Sequence, residues 1–162
     1  MPGAVSAAVV MGVGNLLRQD EGVGVHAIRA LADAGCGSAV ELVDGGTAVF
    51  DALSSWSEIG RLVVIDALRG AGEPGAILRL SPQETEDRTE IALSLHQQGL
   101  LDSLAMLRHS GVRIGEVVIY GVEPAQMGWG TELSEPVARC LPQLVAQVED
   151  ELDISPTEEK QR

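Results

Sequence analysis

Short, solidly apolar runs alternate along the chain with segments in which apolar residues recur every three or four positions. Ala7 to Val13 (AAVVMGV) is such a run, and its glycine marks a buried strand entering a tight turn. Val25, Ile28, Leu31 and Ala32 then keep helical spacing, which predicts a helix from about Gly22 to Ala34, capped by Gly35. Val40 to Val43 predicts a second strand, followed by the loop Asp44-Gly45-Gly46-Thr47, in which Thr47 is placed to cap a short helix from Ala48 to Leu53. The run Leu62 to Ile65 (LVVI) is β-branched without alternation and predicts a central strand that stops at Asp66. Gly75 to Leu80 alternates more and follows after a short turn, the pattern of an edge strand that can run antiparallel.

Ser81 to Thr89 is polar and reads as a surface loop or short helix. Leu100, Leu101, Leu104, Ala105 and Leu107 mark an amphipathic helix stopped by Gly111, with His96 just ahead of it, and Glu116 to Gly121 is the last strand. The closing helix is predicted to start after Ser134 as N-cap and to carry the stripe Val137, Leu141, Leu144, Val148 and Leu152, with Pro142 kinking or splitting it. The order β α β α β β α β α predicts a three-layer α/β/α sandwich around a mostly parallel, twisted sheet of about five strands. In such sheets ligands gather at the carboxyl ends of the strands.

Composition narrows this picture. The 162 residues fit a single domain over 1–152, with the polar stretch 153–162 expected to be a disordered tail. Apolar residues make up 45% of the chain but include only two Trp, one Tyr and one Phe, so the core must be aliphatic. A formal charge of −13, from 24 acidic and 11 basic residues, disfavours nucleic acid and anionic membranes and leaves neutral, cationic or metal-bearing partners. No basic segment precedes the apolar run Val9 to Val13, which is too short for a signal core or a membrane span, so a cytoplasmic location is expected. Cys36 and Cys140 lack the spacing of a metal or redox motif and are expected to be buried apolar residues.

The strand ends hold the candidate chemistry. Gly12-Val13-Gly14-Asn15 resembles the start of a dinucleotide-binding loop, but Leu17 stands where the third glycine belongs and Asp20 and Glu21 would repel a pyrophosphate. Asp44, at the end of strand 2, is the one residue that favours a nucleotide, as a ribose ligand. Asp20 and Glu21 precede a helix, where capping accounts for one of the two acids. Asp66 ends the most apolar strand, where a carboxylate is costly unless it is paired, hydrogen-bonded or bound to a cation; a turn-closing aspartate is the equal alternative. His96 alone reads as a cap or surface residue, while His26 within a helix and His109 near a helix end carry no chemical signal. Together Glu21, Asp66 and His96 supply two carboxylates and one imidazole, a set suited to a divalent transition metal such as nickel or zinc, with coordination positions left open.

These residues stand in segments that resemble the hydrogenase maturation endopeptidases. The similarity spans about Ala7 to Leu152 and rests on five segments in order: Gly12 to Asn15 continuing to Asp20-Glu21-Gly22; Val43 to Thr47; Val64 to Ala67; Ser94 to Gln97; and Gly121 to Pro124 with Trp129-Gly130 and Leu133-Ser134. The resemblance implies a phosphorylase/hydrolase-like sandwich and places Glu21, Asp66 and His96 at the family's metal-ligand positions. It further implies that the metal is nickel already held by the hydrogenase large-subunit precursor, with zinc or cadmium able to occupy the same ligands. On this reading the chain, as a monomer, removes the precursor's C-terminal extension, and Asp44, Gly45, Gly46 and Thr47 contact the substrate. No Ser-His-Asp set and no cysteine beside a histidine is evident, so covalent catalysis has no evident nucleophile and the nucleophile stays open; if water attacks, a metal can activate it, with Glu21 or Asp66 as candidate base and Asp44 as a further candidate. Two other readings are a nickel carrier or assembly checkpoint that docks without cleaving, and a metalloaminopeptidase, against which the small ligand count stands.

Overall fold

The computed structural model describes residues 3–85 and 87–153, with the side chain of His96 outside the description. Of the tail expected over 153–162, residues 154–162 also lie outside the described residues. Five strands, β1 (Ala4–Val13), β2 (Glu41–Gly46), β3 (Trp56–Ala67), β4 (Ile77–Leu80) and β5 (Arg113–Val122), form one sheet in the order β2-β1-β3-β5-β4. The first three pairings are parallel, and β4 closes the β5 edge in the antiparallel sense.

Helices α1 (Val23–Asp33) and α5 (Glu135–Glu151) cover one face; α2 (Val49–Leu53), α3 (Thr89–Gln98) and α4 (Leu100–His109) cover the other. The apolar runs are continuous because each strand serves both layers. Val10, Val63, Ile65 and Val118 face α1 and α5, whereas Val9, Met11, Leu62, Val64 and Ile119 face the other three helices. All nine are at most 2% exposed. This is the three-layer sandwich that the order of elements predicts.

Three local expectations need correction. The segment from Thr89 to Gln98 is a helix of its own, broken from α4 by Gly99 in the left-handed region (φ 69°), so His96 sits in the last turn of α3 and not in a lead-in to α4. Thr47 does not cap α2: Ala48 holds that position, with no side-chain cap bond, and Thr47 is exposed. Pro142 does not split α5, which runs unbroken through it. The proline lacks an N–H for the carbonyl of Ala138, but Val137, Cys140, Leu144 and Val148 keep the helix seated on the sheet.

The far end of α5 is fixed by charge. Glu151, whose side chain is 7% exposed, accepts hydrogen bonds from Arg61 of β3 and Arg79 of β4, and from the Tyr120 hydroxyl of β5 at 2.9 Å. Burial, with the Glu151 charge beside it, pushes the Tyr120 phenol up to about 12. One carboxylate thereby ties the last turn of α5 to three strands. No helix among the described residues is long and apolar enough to cross a membrane.

Candidate metal-recognition site

The carboxyl ends of β1 and β3 lie side by side, with Gly12 paired to Ile65, and the candidate acids sit just beyond them. Asp66 is fully buried, and neither of its carboxylate oxygens has a hydrogen-bond partner among the described residues. Burial pushes its carboxyl well above the usual range; the neighbouring Glu21 charge pushes the same way, and the nearby Ala67 N–H offsets only part of this. A buried carboxylate without hydrogen-bond partners is costly unless a cation or a proton neutralises it. A turn-closing aspartate would accept backbone N–H groups at hydrogen-bond distance, and Asp66 has no such partner among the described residues.

Glu21 lies in a 3-10 turn, Gln19–Gly22, that leads into α1. Its backbone is held against β1 by the absence of a side chain at Gly14. A Cβ there would lie 1.8 Å from the Glu21 carbonyl oxygen and 3.8 Å from Asp66 Oδ1, and Gly14 has a left-handed φ of 127°. Gly14→Ala is therefore expected to displace the Glu21 segment from Asp66 and to lower enzymatic turnover about 100-fold, the scale for catalytic groups moved by an ångström. The measurement is the rate of the variant against wild type at matched folded fraction.

Asp20 and Glu21 have separate jobs. Asp20 is fully buried and accepts from the backbone N–H groups of Ala125 and Gln126 (2.8 Å each) and from both the N–H (2.8 Å) and the hydroxyl (2.7 Å) of Ser134. Burial raises its carboxyl, but these four donors more than reverse that and hold it below its usual range. Helix capping thus does not describe Asp20, and it leaves Ser134 without a side-chain cap bond to α5. The clamp fixes the loop after β5 against the turn that carries Glu21.

Helix α3 reaches the same edge. Gln98 Nε2 donates to the Ala67 carbonyl at 2.9 Å, and the Arg69 N–H donates to Ser94 Oγ at 3.4 Å. Residue 96 lies midway between these two contacts in the chain, while its imidazole is outside the described residues. Among the described residues no three potential ligands gather as a metal cluster.

The Asp44 to Thr47 loop borders the site. Gly12 pairs with Asp44, and the Gly14 N–H donates to the Gly46 carbonyl at 2.8 Å. Gly45 leaves no room for a Cβ, which would lie 2.8 Å from Met11 Sδ. Asp44 is exposed and its Oδ1 accepts the Gly46 N–H at 3.0 Å, so this carboxylate shapes its own turn. Glu123 is a feature that the sequence alone leaves unread. Buried at the end of β5, its Oε1 accepts from the N–H groups of Gly70, Ala71 and Gly72 (2.9, 3.1 and 3.3 Å) and organises the loop after Asp66. Cys36 and Cys140 are buried free thiols, each pushed up by burial, and neither is placed as a nucleophile.

Comparison with known proteins gives this arrangement a family. The family model for hydrogenase maturation protease matches residues 25–151. The hydrogenase 2 maturation protease of Escherichia coli (strain K12) is 31% identical over 147 residues, covering 90% of this chain and 85% of that protein. The hydrogenase expression/formation protein HupM of Azotobacter chroococcum is 32% identical over 140 residues, covering 85% of this chain and 67% of that one. Among solved structures, the hydrogenase maturating endopeptidase HybD from E. coli superposes with a TM-score of 0.72 at 28% identity, over 93% of this chain and 94% of that one.

Fold and matches together define the class, an α/β peptide hydrolase built on a mostly parallel sheet. The chain belongs to the hydrogenase maturation protease family.

Proposed function

We propose that this protein removes the C-terminal extension of a nickel–iron hydrogenase large-subunit precursor, and that it does so by engaging the nickel already installed there. The observation that carries the reading is Asp66, a fully buried carboxylate without a hydrogen-bond partner among the described residues, next to Glu21 at the strand ends. Such a pair favours a divalent cation over a neutral peptide. In this reading Glu21 and Asp66 present oxygens to the precursor's nickel, and His96, carried on the helix that contacts Ala67 and Arg69, adds its imidazole. Zinc or cadmium would satisfy the same donors.

Engaging the metal anchors the precursor so that its extension lies along the loop from Asp44 to Thr47. Water is the attacking group, since neither cysteine is placed for the role. Glu21, only half-buried, takes the water's proton on the carboxylate oxygen that it does not give to the metal, while Asp66 stays on the metal. Asp44, bonded into its own turn, positions peptide and does no proton transfer. The protein acts as a monomer in the cytoplasm.

The test is the intact mass of nickel-loaded precursor before and after incubation with the purified protein. Loss of a single C-terminal peptide is expected. Transfer of nickel without shortening would refute cleavage and favour the carrier or checkpoint, and release of N-terminal residues would favour an aminopeptidase.

A further inference from the structure

The rim of this strand-end site carries a feature that the site described above does not use. Backbone of the Glu21 turn and of the loop after β5 is zipped together: the Gly130 N–H donates to the Leu17 carbonyl, and the Gln19 N–H to the Gly130 carbonyl, both at 2.9 Å. Gln19 Oε1 accepts the Gly128 N–H at 2.9 Å. The Asp20 clamp lies directly beneath. On this pinned backbone Trp129 and Leu17 point outward, 77% and 55% exposed, two of the five exposed large apolar side chains among the described residues. The Arg18 guanidinium lies over the Trp129 ring, 4.9 Å from its centroid, while its Nε donates to the Met127 carbonyl at 3.0 Å. Arg69, three residues beyond Asp66, reaches Met127 from the other side, with Nη2 3.4 Å from Sδ.

The rim carries positive charge on an acidic molecule. Arg61, Arg79, Arg113 and Arg139 are each neutralised by a glutamate. Arg18 and Arg69, like Arg29, Arg88 and Arg108, pair with no carboxylate among the described residues, but only these two lie together, meeting at Met127 beside the exposed Trp129, in a chain whose formal charge is −13. An exposed tryptophan stacked with arginine on a rigid backbone is the composition of a binding hot spot, and rigidity removes much of the ordering cost of association. An acidic segment repelled by the rest of the surface would find its complement here.

We infer that this rim, Leu17, Arg18, Trp129 and Arg69, is the docking surface for the large-subunit precursor, taking a precursor segment that presents an apolar side chain beside an acidic one. The inference rests on the precursor being the substrate. The rim is continuous with the metal-recognition site, since Arg18 and Glu21 share one turn, so a precursor seated on it brings its nickel to Glu21 and Asp66.

The experiment is calorimetric titration of full-length protein with purified nickel-loaded precursor at low and high salt. Trp129→Ala is expected to raise Kd about tenfold or more. Arg69→Gln is expected to raise Kd several-fold at low salt and to flatten its salt dependence. Val5→Ser, which removes a 69% exposed side chain at the opposite end of β1, serves as the control and is expected to bind as wild type. Wild-type Kd in both rim variants, with far-ultraviolet circular dichroism showing them folded, would overturn the proposal, as would failure of the wild-type protein to bind. Cleavage is followed on the same samples. Rim-dependent binding without cleavage would overturn only the protease reading, and cleavage with unaltered Kd in the variants only the docking surface.

Discussion

Asp66→Asn is expected to slow C-terminal processing of the precursor at least about 100-fold if Asp66 holds the precursor's metal as proposed, since removing a direct donor should cost no less than removing a residue that merely orients one. The same substitution is expected to stabilise the fold at neutral pH. Protonated aspartic acid and asparagine are neutral and nearly isosteric, so the two proteins should melt alike in acid. Burial raises the folded-state carboxyl far above its ordinary value of 3.8. A group raised in this way contributes stability that is fully present below the ordinary value and is lost as pH rises through the folded value. Wild type should therefore fall progressively behind Asp66→Asn from about pH 4 upward, in thermal melts recorded across pH. A variant slower in processing yet harder to melt is the mark of a residue kept for function against stability. Equal loss of activity and stability would place Asp66 in the architecture instead.

The second large effect is structural. Glu151→Ala leaves two guanidinium groups and the Tyr120 hydroxyl without their shared acceptor, and is expected to destabilise the protein by about 2–3 kcal/mol, below the full cost of a broken buried ion pair. The discount reflects exposure, since the Arg61 side chain is 29% and the Arg79 side chain 48% exposed. For a domain of this size that corresponds to a drop in Tm of roughly 5–10 °C. The Arg79 hydrogen bond, with Tyr120 and Arg61 adding to it, holds the Glu151 carboxyl below its ordinary value of 4.5. The sign is then opposite to that of Asp66: the stabilisation is present above pH 4.5 and lost as pH falls through the folded value, so the gap between wild type and Glu151→Ala should narrow in acid. A gap that is constant with pH would show that packing, and not charge, carries the effect.

These two acids show what was legible in the sequence and what was not. Asp66 was readable because it ends the run LVVI, and a carboxylate closing an unbroken apolar strand demands a partner. The sheet was readable for the same reason, because buried parallel strands leave continuous apolar runs bounded by glycine or acid. Glu151 was unreadable, since its partners Arg61, Arg79 and Tyr120 lie 90, 72 and 31 residues away in sequence. Asp20 shows the same limit more sharply. Beside Glu21 it reads as a helix-start acid, and only the fold brings Ala125, Gln126 and Ser134 to it. Helix α3 was missed because its apolar pattern is short and interrupted by Ser94 and two glutamines, and because Gly99 makes a break that spacing alone does not reveal. The five family segments carry the resemblance: four follow the ends of β1, β2, β3 and β5 at one sheet edge, the segment on α3 reaches the same edge, and the one after β5 is bolted to the first through Asp20 and Gly130.

The account turns on whether the protein reads the metal held by its substrate. The decisive measurement is a paired cleavage assay in which nickel-loaded and nickel-free precursor, purified to the same state, are incubated with the protein and followed by intact mass. The account predicts that the loaded precursor loses its C-terminal extension while the nickel-free precursor keeps it. Cleavage of both at the same rate would contradict it.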